Sequence, residues 1–167
     1  MDKKPEQLAE WKQYLAECLD ASQFLALGTA GADGPWVMPV YFAFDANFAL
    51  YFISEPSTVH MQNIEKDGRV SCAVFSTAQS SGSPVLGLQI TGDASWVTPA
   101  EAESACKAYF TAMPARHPIN QSNRAEEYAN PKTVWRMAKI VPREVWVFDE
   151  KNFGGTRIKV PPEALQN

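Results

Sequence analysis

The chain has 167 residues, with 15 Lys and Arg against 19 Asp and Glu, for a formal net charge of −4. Hydrophobic residues make up 46% and charged residues 20%, the balance of a single globular domain and not of a disordered chain. The acidic excess argues against a nucleic-acid partner, and no run approaches the roughly 20 apolar residues of a membrane helix.

Cys18, Cys72 and Cys106 are odd in number and far apart, which excludes a disulfide framework or a C-x-x-C metal site. All three sit in apolar patterns and are expected to be small buried hydrophobes. No apolar signal core follows the charged N-terminus, so a reducing cytoplasm is the expected setting.

Residues 5–19 read as an amphipathic helix that opens on Pro5 and carries Leu8, Trp11, Leu15, Cys18 and Leu19 on one face. Residues 23–30 form a short apolar strand, and Gly31-Ala32-Asp33-Gly34 a turn. Residues 35–45 are aromatic and β-branched and read as a second strand. Pro39 within it cannot donate to a ladder, which predicts an edge or a bulge there. Asp45-Ala46-Asn47 turns the chain into a third strand over 48–54, completing a meander.

Helical spacing returns at His60, Met61 and Ile64 and stops at Asp67-Gly68. A fourth strand is expected over 69–75. A small, polar stretch over 76–83 reads as mobile. The fifth strand, 84–97, contains Gly87 and Gly92 and should bend or bulge. Thr98-Pro99-Ala100-Glu101 is a capping box with Pro at the first helical position. It opens a helix with Ala102, Ala105, Cys106, Tyr109, Phe110 and Met113 on one stripe, which Pro114 ends. Residues 115–131 read as loop with at most one helical turn, 133–137 as a short apolar bridge, and 140–149 as the last strand. A tail follows with Gly154-Gly155, Arg157, Lys159 and Pro161-Pro162. The sum is one domain over 1–167, mainly β with accessory helices: a six-stranded antiparallel barrel or sandwich whose core spans about residues 23–150.

Familiar catalytic motifs are absent: there is no G-x-S-x-G, P-loop, G-x-G-x-x-G or H-E-x-x-H. His60 and His117 have no spacing that recommends a metal site. One junction stands out. Ser54-Glu55-Pro56-Ser57-Thr58-Val59-His60 follows a strand and opens a helix. Free backbone N–H groups, the hydroxyls of Ser54, Ser57 and Thr58, and His60 could hold a phosphate there. The competing reading makes Ser57 or Thr58 a plain N-cap. Trp36, Tyr41, Phe42, Phe44, Tyr51, Phe52, Trp135 and Trp146 divide between core packing and a wall for a planar ligand.

The order of four segments resembles the pyridoxamine 5′-phosphate oxidase-like, flavin-binding split-barrel superfamily, and within it a subgroup of short bacterial proteins. The segments are LALGTAGADGPWVMPVYF at 25–42, LYFISEPSTVHMQNIEKDGRVSCAVF at 50–75, LQITGDASWV at 88–97 and IVPREVWVF at 140–148. The resemblance implies a split-barrel homodimer with flavin mononucleotide (FMN) at the subunit interface, and an oxidoreductase acting on a small molecule. It places the backbone around Met38, Val40 and Tyr41 against the isoalloxazine. Ser54, Ser57, Thr58 and His60 then face the phosphate, Gln89 the ring edge, and Trp135, Trp146 and Arg157 line the site from either subunit. The chain departs from the oxidases at Thr58-Val59-His60, where they carry Ser/Thr-Arg-Lys. That loss of charge keeps two alternatives open: a haem or other ligand on the same scaffold, with His60 or His117 as iron ligand, or a dimer without cofactor.

Overall fold

Every strand pairing in the computed structural model, which describes residues 5–76, 78–112 and 124–166, is antiparallel. Eight strands are present among these residues: β1 (Phe24–Gly31), β2 (Gly34–Tyr41), β3 (Ala43–Phe44), β4 (Leu50–Ser54), β5 (Arg69–Phe75), β6 (Leu86–Trp96), β7 (Arg136–Asp149) and β8 (Arg157–Lys159). The sheet runs β2-β1-β5-β6-β7-β4-β3, and β8 adds to β7. Its two ends are one stretch of chain. Residues 34–41 bond to β1 and residues 43–44 bond to β4, with a break only at Phe42. The sheet therefore curls until its first and last members meet in sequence, a split barrel.

This break makes eight strands of the expected six. Phe42 turns its ring into the core (3% exposed), and its N–H bonds Gln23 O instead of a ladder partner. The tail supplies the other addition, β8. Pro39 sits on an edge strand, opposite Ala26, where its missing donor costs no ladder bond on the open side.

The bend expected in the fifth strand is at Gly92. Thr91 pairs with Glu144 and Gly92 with Pro142, so Arg143 is an extra residue on β7. A Cβ on Gly92 would lie 2.6 Å from Val141 O, so the two backbones approach as only glycine allows. The bulge also shifts the inward phase of β7, from Ala138 and Ile140 before it to Val145 and Val147 after it. The two segments expected at 133–137 and 140–149 thus join into one strand. Pro142 is tolerated because β4 stops pairing at Ile140 and β8 begins at Trp146.

Helix α1 (Leu8–Asp20) begins later than Pro5 suggests. Gln7 and Glu10 form its capping box. Helix α3 (Ala102–Ala112) likewise starts past its box: the Glu101 carboxylate accepts both the Thr98 N–H and hydroxyl, and pairs with Lys139. Helix α4 (Ala125–Ala129) is the single turn expected between 115 and 131. Helix α2 (Val59–Lys66) follows β4, and α5 (Glu150–Phe153) follows β7. The third strand starts at Leu50 because Asp45 organises the turn before it. Its carboxylate takes the N–H groups of Asn47 and Ala49 and the Tyr51 hydroxyl, and holds Phe48 at φ +59°. Burial of Phe48 (6% exposed) against Phe44 offsets that strain. In the polar stretch 76–83, Gln79 bonds both backbone groups of Leu86, a tether at odds with free movement. Thr77, Met113 and Pro114 lie outside the described residues.

Two cores result. Alternate residues of β1, β5, β6 and β7 fill the barrel together with Trp11 and Leu15 of α1 and Met61 and Ile64 of α2. Outside it, Ala105, Cys106, Tyr109 and Phe110 of α3 pack on Ala43, Tyr51 and Met137. The second core matters for function, because α3 and α4 there wall a cleft.

Candidate functional site

A cleft of about 1050 Å³ opens between the β2 edge, the end of β4, the start of α2, and the α3–α4 side with residues 132–135. It gathers Met38, Val40, Tyr41, Ser54, Thr58, His60 and Trp135, seven of the residues singled out from the sequence. Val40 is 8% exposed and belongs to the barrel core, so β2 presents chiefly its backbone and the flanking Met38 and Tyr41. Trp135, by contrast, is 56% exposed on the opposite wall.

The floor is a compact polar trio. His60 Nε2 lies 2.8 Å from Ser54 Oγ and 3.3 Å from Thr58 Oγ1, and the two hydroxyl oxygens are 3.2 Å apart. Thr58 donates its hydroxyl proton to Glu55 O at 2.8 Å, so toward its two neighbours it only accepts. Thr58 does hold the N-cap position of α2, but its side chain makes no capping bond. Ser54 and His60 are each 4% exposed. Burial lowers the His60 pKa below the ordinary imidazole value, so the ring is neutral at neutral pH. The trio offers hydrogen bonds without charge. Ser57 does not line the cleft; its hydroxyl turns to Glu55 at 3.4 Å.

Residues that sequence reading missed complete the outer wall: Tyr109, Arg124, Glu127, Tyr128 and Lys132. Arg124 is paired with Glu127. Their i, i+3 spacing was the one legible signal, in a stretch otherwise read as loop. With Glu55, the charges around the cleft balance.

Gln89, Trp146 and Arg157 are elsewhere. They line a second groove of about 760 Å³ on the outer face of β1, β5, β6 and β7. Arg157 Nη1 donates to Gln89 Oε1 at 3.1 Å, and Lys159 lies 5.5 Å over the Trp146 ring. Within one protomer, the eleven proposed site residues do not converge. The reason is the sheet itself: Ser54 pairs at the Arg136 end of β7, whereas Trp146 pairs with Gln89 beyond the bulge. Around Ala26, Gly28, Val37, Ser71, Ala73 and Thr91, Arg157 is the one charged residue that lines this groove among the described residues.

The three cysteines serve neither site as nucleophiles. Burial pushes the thiols of Cys18 and Cys72 up to about 12 and that of Cys106 to about 11. Among the described residues no group of three His, Cys, Asp or Glu could hold a metal ion, and His117 lies outside those residues.

The sequence pattern of the family described as pyridoxamine 5′-phosphate oxidase matches residues 12–141. The chain belongs to that family. The match runs from α1 into β7 and includes every wall of the cleft; Trp146 and Arg157 fall beyond it. No curated protein matches the sequence. Solved structures share the fold at low identity. A haem-binding protein from Mycobacterium smegmatis superposes with a TM-score of 0.71 at 18% identity, over 97% of this chain and 61% of its own. The chain thus spans under two thirds of that neighbour. A conserved hypothetical protein from Mycobacterium tuberculosis gives 0.68 at 17% identity, over 96% and 94%. An FAD-binding protein from Mesorhizobium loti gives 0.58 at 17%, over 80% and 88%. No helix among the described residues is long and apolar enough to cross a membrane.

Proposed function

We propose that this member of the pyridoxamine 5′-phosphate oxidase family binds FMN in the 1050 Å³ cleft and acts as an oxidoreductase on a small molecule. The observation that carries the reading is the cleft's construction. It has an exposed strand edge with Tyr41 on one side, Trp135 on the other, and a buried hydroxyl–imidazole floor at one end. Its volume is at the upper end for small-molecule sites, room enough for a flavin nucleotide. The Met38–Tyr41 backbone would orient a planar ring, and Tyr41 and Trp135 would shield it from water. Ser54 and His60 would hydrogen-bond its polar tail. A bound flavin supplies the hydride chemistry, which explains a site without a nucleophile–base–acid triad.

The second groove supports a homodimer. An outer sheet face of Ala, Gly, Ser, Thr and Gln with Trp146 and a single cation, Arg157, and with Phe24, Phe75 and Val37 exposed, is as poor in charge as an interface core. A second copy there would bring Gln89, Trp146 and Arg157 toward its partner's cleft.

The test is ultrafiltration of the purified protein with added FMN, read by absorbance, alongside light scattering. About one retained flavin per subunit and a dimeric mass are expected, with retention reduced in Ser54→Ala. No retention refutes the flavin reading; a haem Soret shift in its place would transfer the cleft to haem. His60 is ill placed as an iron ligand, since its Nε2 already contacts Ser54 at 2.8 Å.

A further inference from the structure

The floor of the cleft and a phosphate group are poorly matched. A phosphate brings negative charge and acceptor oxygens that all seek donors. The floor has few to give. Thr58 spends its hydroxyl proton on Glu55 O at 2.8 Å. His60 Nε2 faces Ser54 Oγ at 2.8 Å and Thr58 Oγ1 at 3.3 Å. If Nε2 carries the ring proton, that proton is directed at those two oxygens, and only the Ser54 proton is left for a ligand. If Nε2 is bare, Ser54 is again the one donor. In either tautomer the three side chains present one O–H and several lone pairs.

The charges around the trio point the same way. Burial keeps His60 neutral at neutral pH, and a charge at the depth of Ser54 and His60 needs a partner. Val59, which opens α2, has no side-chain donor. Arg136, opposite Ser54 in the β4–β7 ladder, does not line the cleft; its guanidinium lies 4.1 Å from the centre of the Trp96 ring. Arg124 and Lys132 belong to the outer wall, and Arg124 is paired with Glu127. The charged residue that lines the cleft next to Ser54 in the chain is an anion, Glu55, whose carboxylate contacts the Ser57 hydroxyl at 3.4 Å. It offsets the attraction of the α2 N-terminus for a second anion.

We propose that the floor of the cleft is a subsite for an uncharged hydroxyl and not for phosphate: it takes the hydroxylated chain of the ligand, and a terminal phosphate, where the ligand has one, stays hydrated. The assignment rests on the flavin reading for the ring that fills the rest of the cleft. A hydroxyl gives its proton to a lone pair of the trio and accepts the proton of Ser54, so each group is satisfied without a counter-charge. Thr58-Val59-His60, where the oxidases carry Ser/Thr-Arg-Lys, then marks a change in the group recognised. Flavins without a phosphate are ligands as good as FMN.

The experiment measures the Kd of FMN and of riboflavin, which lacks the phosphate, by flavin fluorescence on the wild type and Ser54→Ala, at low and high salt. The two flavins should bind the wild type within about threefold of each other at both salt concentrations. Ser54→Ala should weaken both by a similar factor, about 3- to 10-fold, the weight of one neutral hydrogen bond. A wild-type preference for FMN of about tenfold or more, or one that fades as salt rises, overturns the proposal. So does a Ser54→Ala loss confined to FMN, or no loss for either flavin. If neither flavin binds, the flavin reading has failed, and the floor is tested without one. The chain has two histidines, and the imidazole NMR signal that survives in His117→Gln is that of His60. Ribitol, the uncharged chain alone, should shift that signal, and inorganic phosphate should leave it in place. A shift with phosphate, or with neither probe, refutes a hydroxyl subsite.

Discussion

Replacing Tyr14 with phenylalanine deletes one oxygen from the joint between α1 and the end of β7. The Tyr14 hydroxyl donates to Asp149 Oδ2 at 2.5 Å, and both residues are 4% exposed. No cation pairs with this carboxylate among the described residues; hydrogen bonds alone hold it. Asn152 donates through its backbone N–H at 3.0 Å to Oδ1 and through Nδ2 at 2.7 Å to Oδ2. Hydrogen bonds to charged groups contribute about 1.5–3 kcal/mol, and Oδ2 keeps one donor after the change, so the expected loss is about 2 kcal/mol. For a chain of this size that is a drop of roughly 4–8 °C in Tm. Urea unfolding followed by far-ultraviolet circular dichroism, at fixed protein concentration, measures it.

The pH dependence is a sharper test of the same joint. Burial by itself would raise the Asp149 pKa, but the Tyr14 and Asn152 hydrogen bonds outweigh it and hold the group below its ordinary 3.8. A carboxyl depressed in the folded state contributes stability above its unfolded pKa and loses it as pH falls through the folded value. The gap between wild type and Tyr14→Phe should therefore be full at neutral pH and shrink below about 4. A gap under about 0.5 kcal/mol at neutral pH, or one that widens in acid, would mean that the hydroxyl does not stabilise the carboxylate.

Other consequences are as direct. Gly92→Ala should lower the urea midpoint by about 1–3 kcal/mol equivalent, because its Cβ meets Val141 O at 2.6 Å and backbone cannot step aside; wild-type stability would show that the bulge relaxes freely. Phe52→Ala, at a fully buried site in the barrel, should cost about 3–5 kcal/mol in the same assay. Cys18, Cys72 and Cys106 should resist a thiol reagent in the native protein at mildly alkaline pH and all react in denaturant; fast native labelling of any one would contradict its burial.

Local patterns were enough for most elements. Alternation of apolar residues marks β1, β5 and β6, since a strand with one face on a core must repeat every second residue. Gly92 announced its bulge and Pro39 its edge, because each is a backbone requirement that travels with the residue itself. The strand-to-helix junction at Ser54–His60 was visible for the same reason. Tertiary structure decided what no local pattern encodes. Residues 34–44 bond to β1 and to β4 through local hairpins, but closure of the barrel also needs β4 to pair with β7, some 80–90 positions away in sequence. The neutrality of His60 comes from burial by surrounding elements, not from its neighbours in the chain. Arg136 is 82 positions from Ser54, and only the β4–β7 register sets them side by side. Within one protomer, the same sheet sets Trp146 and Arg157 on a different groove from the cleft that holds Ser54 and His60. Residue type determined which chemistry the chain carries; the long-range pairing of strands determined which of those groups can act together.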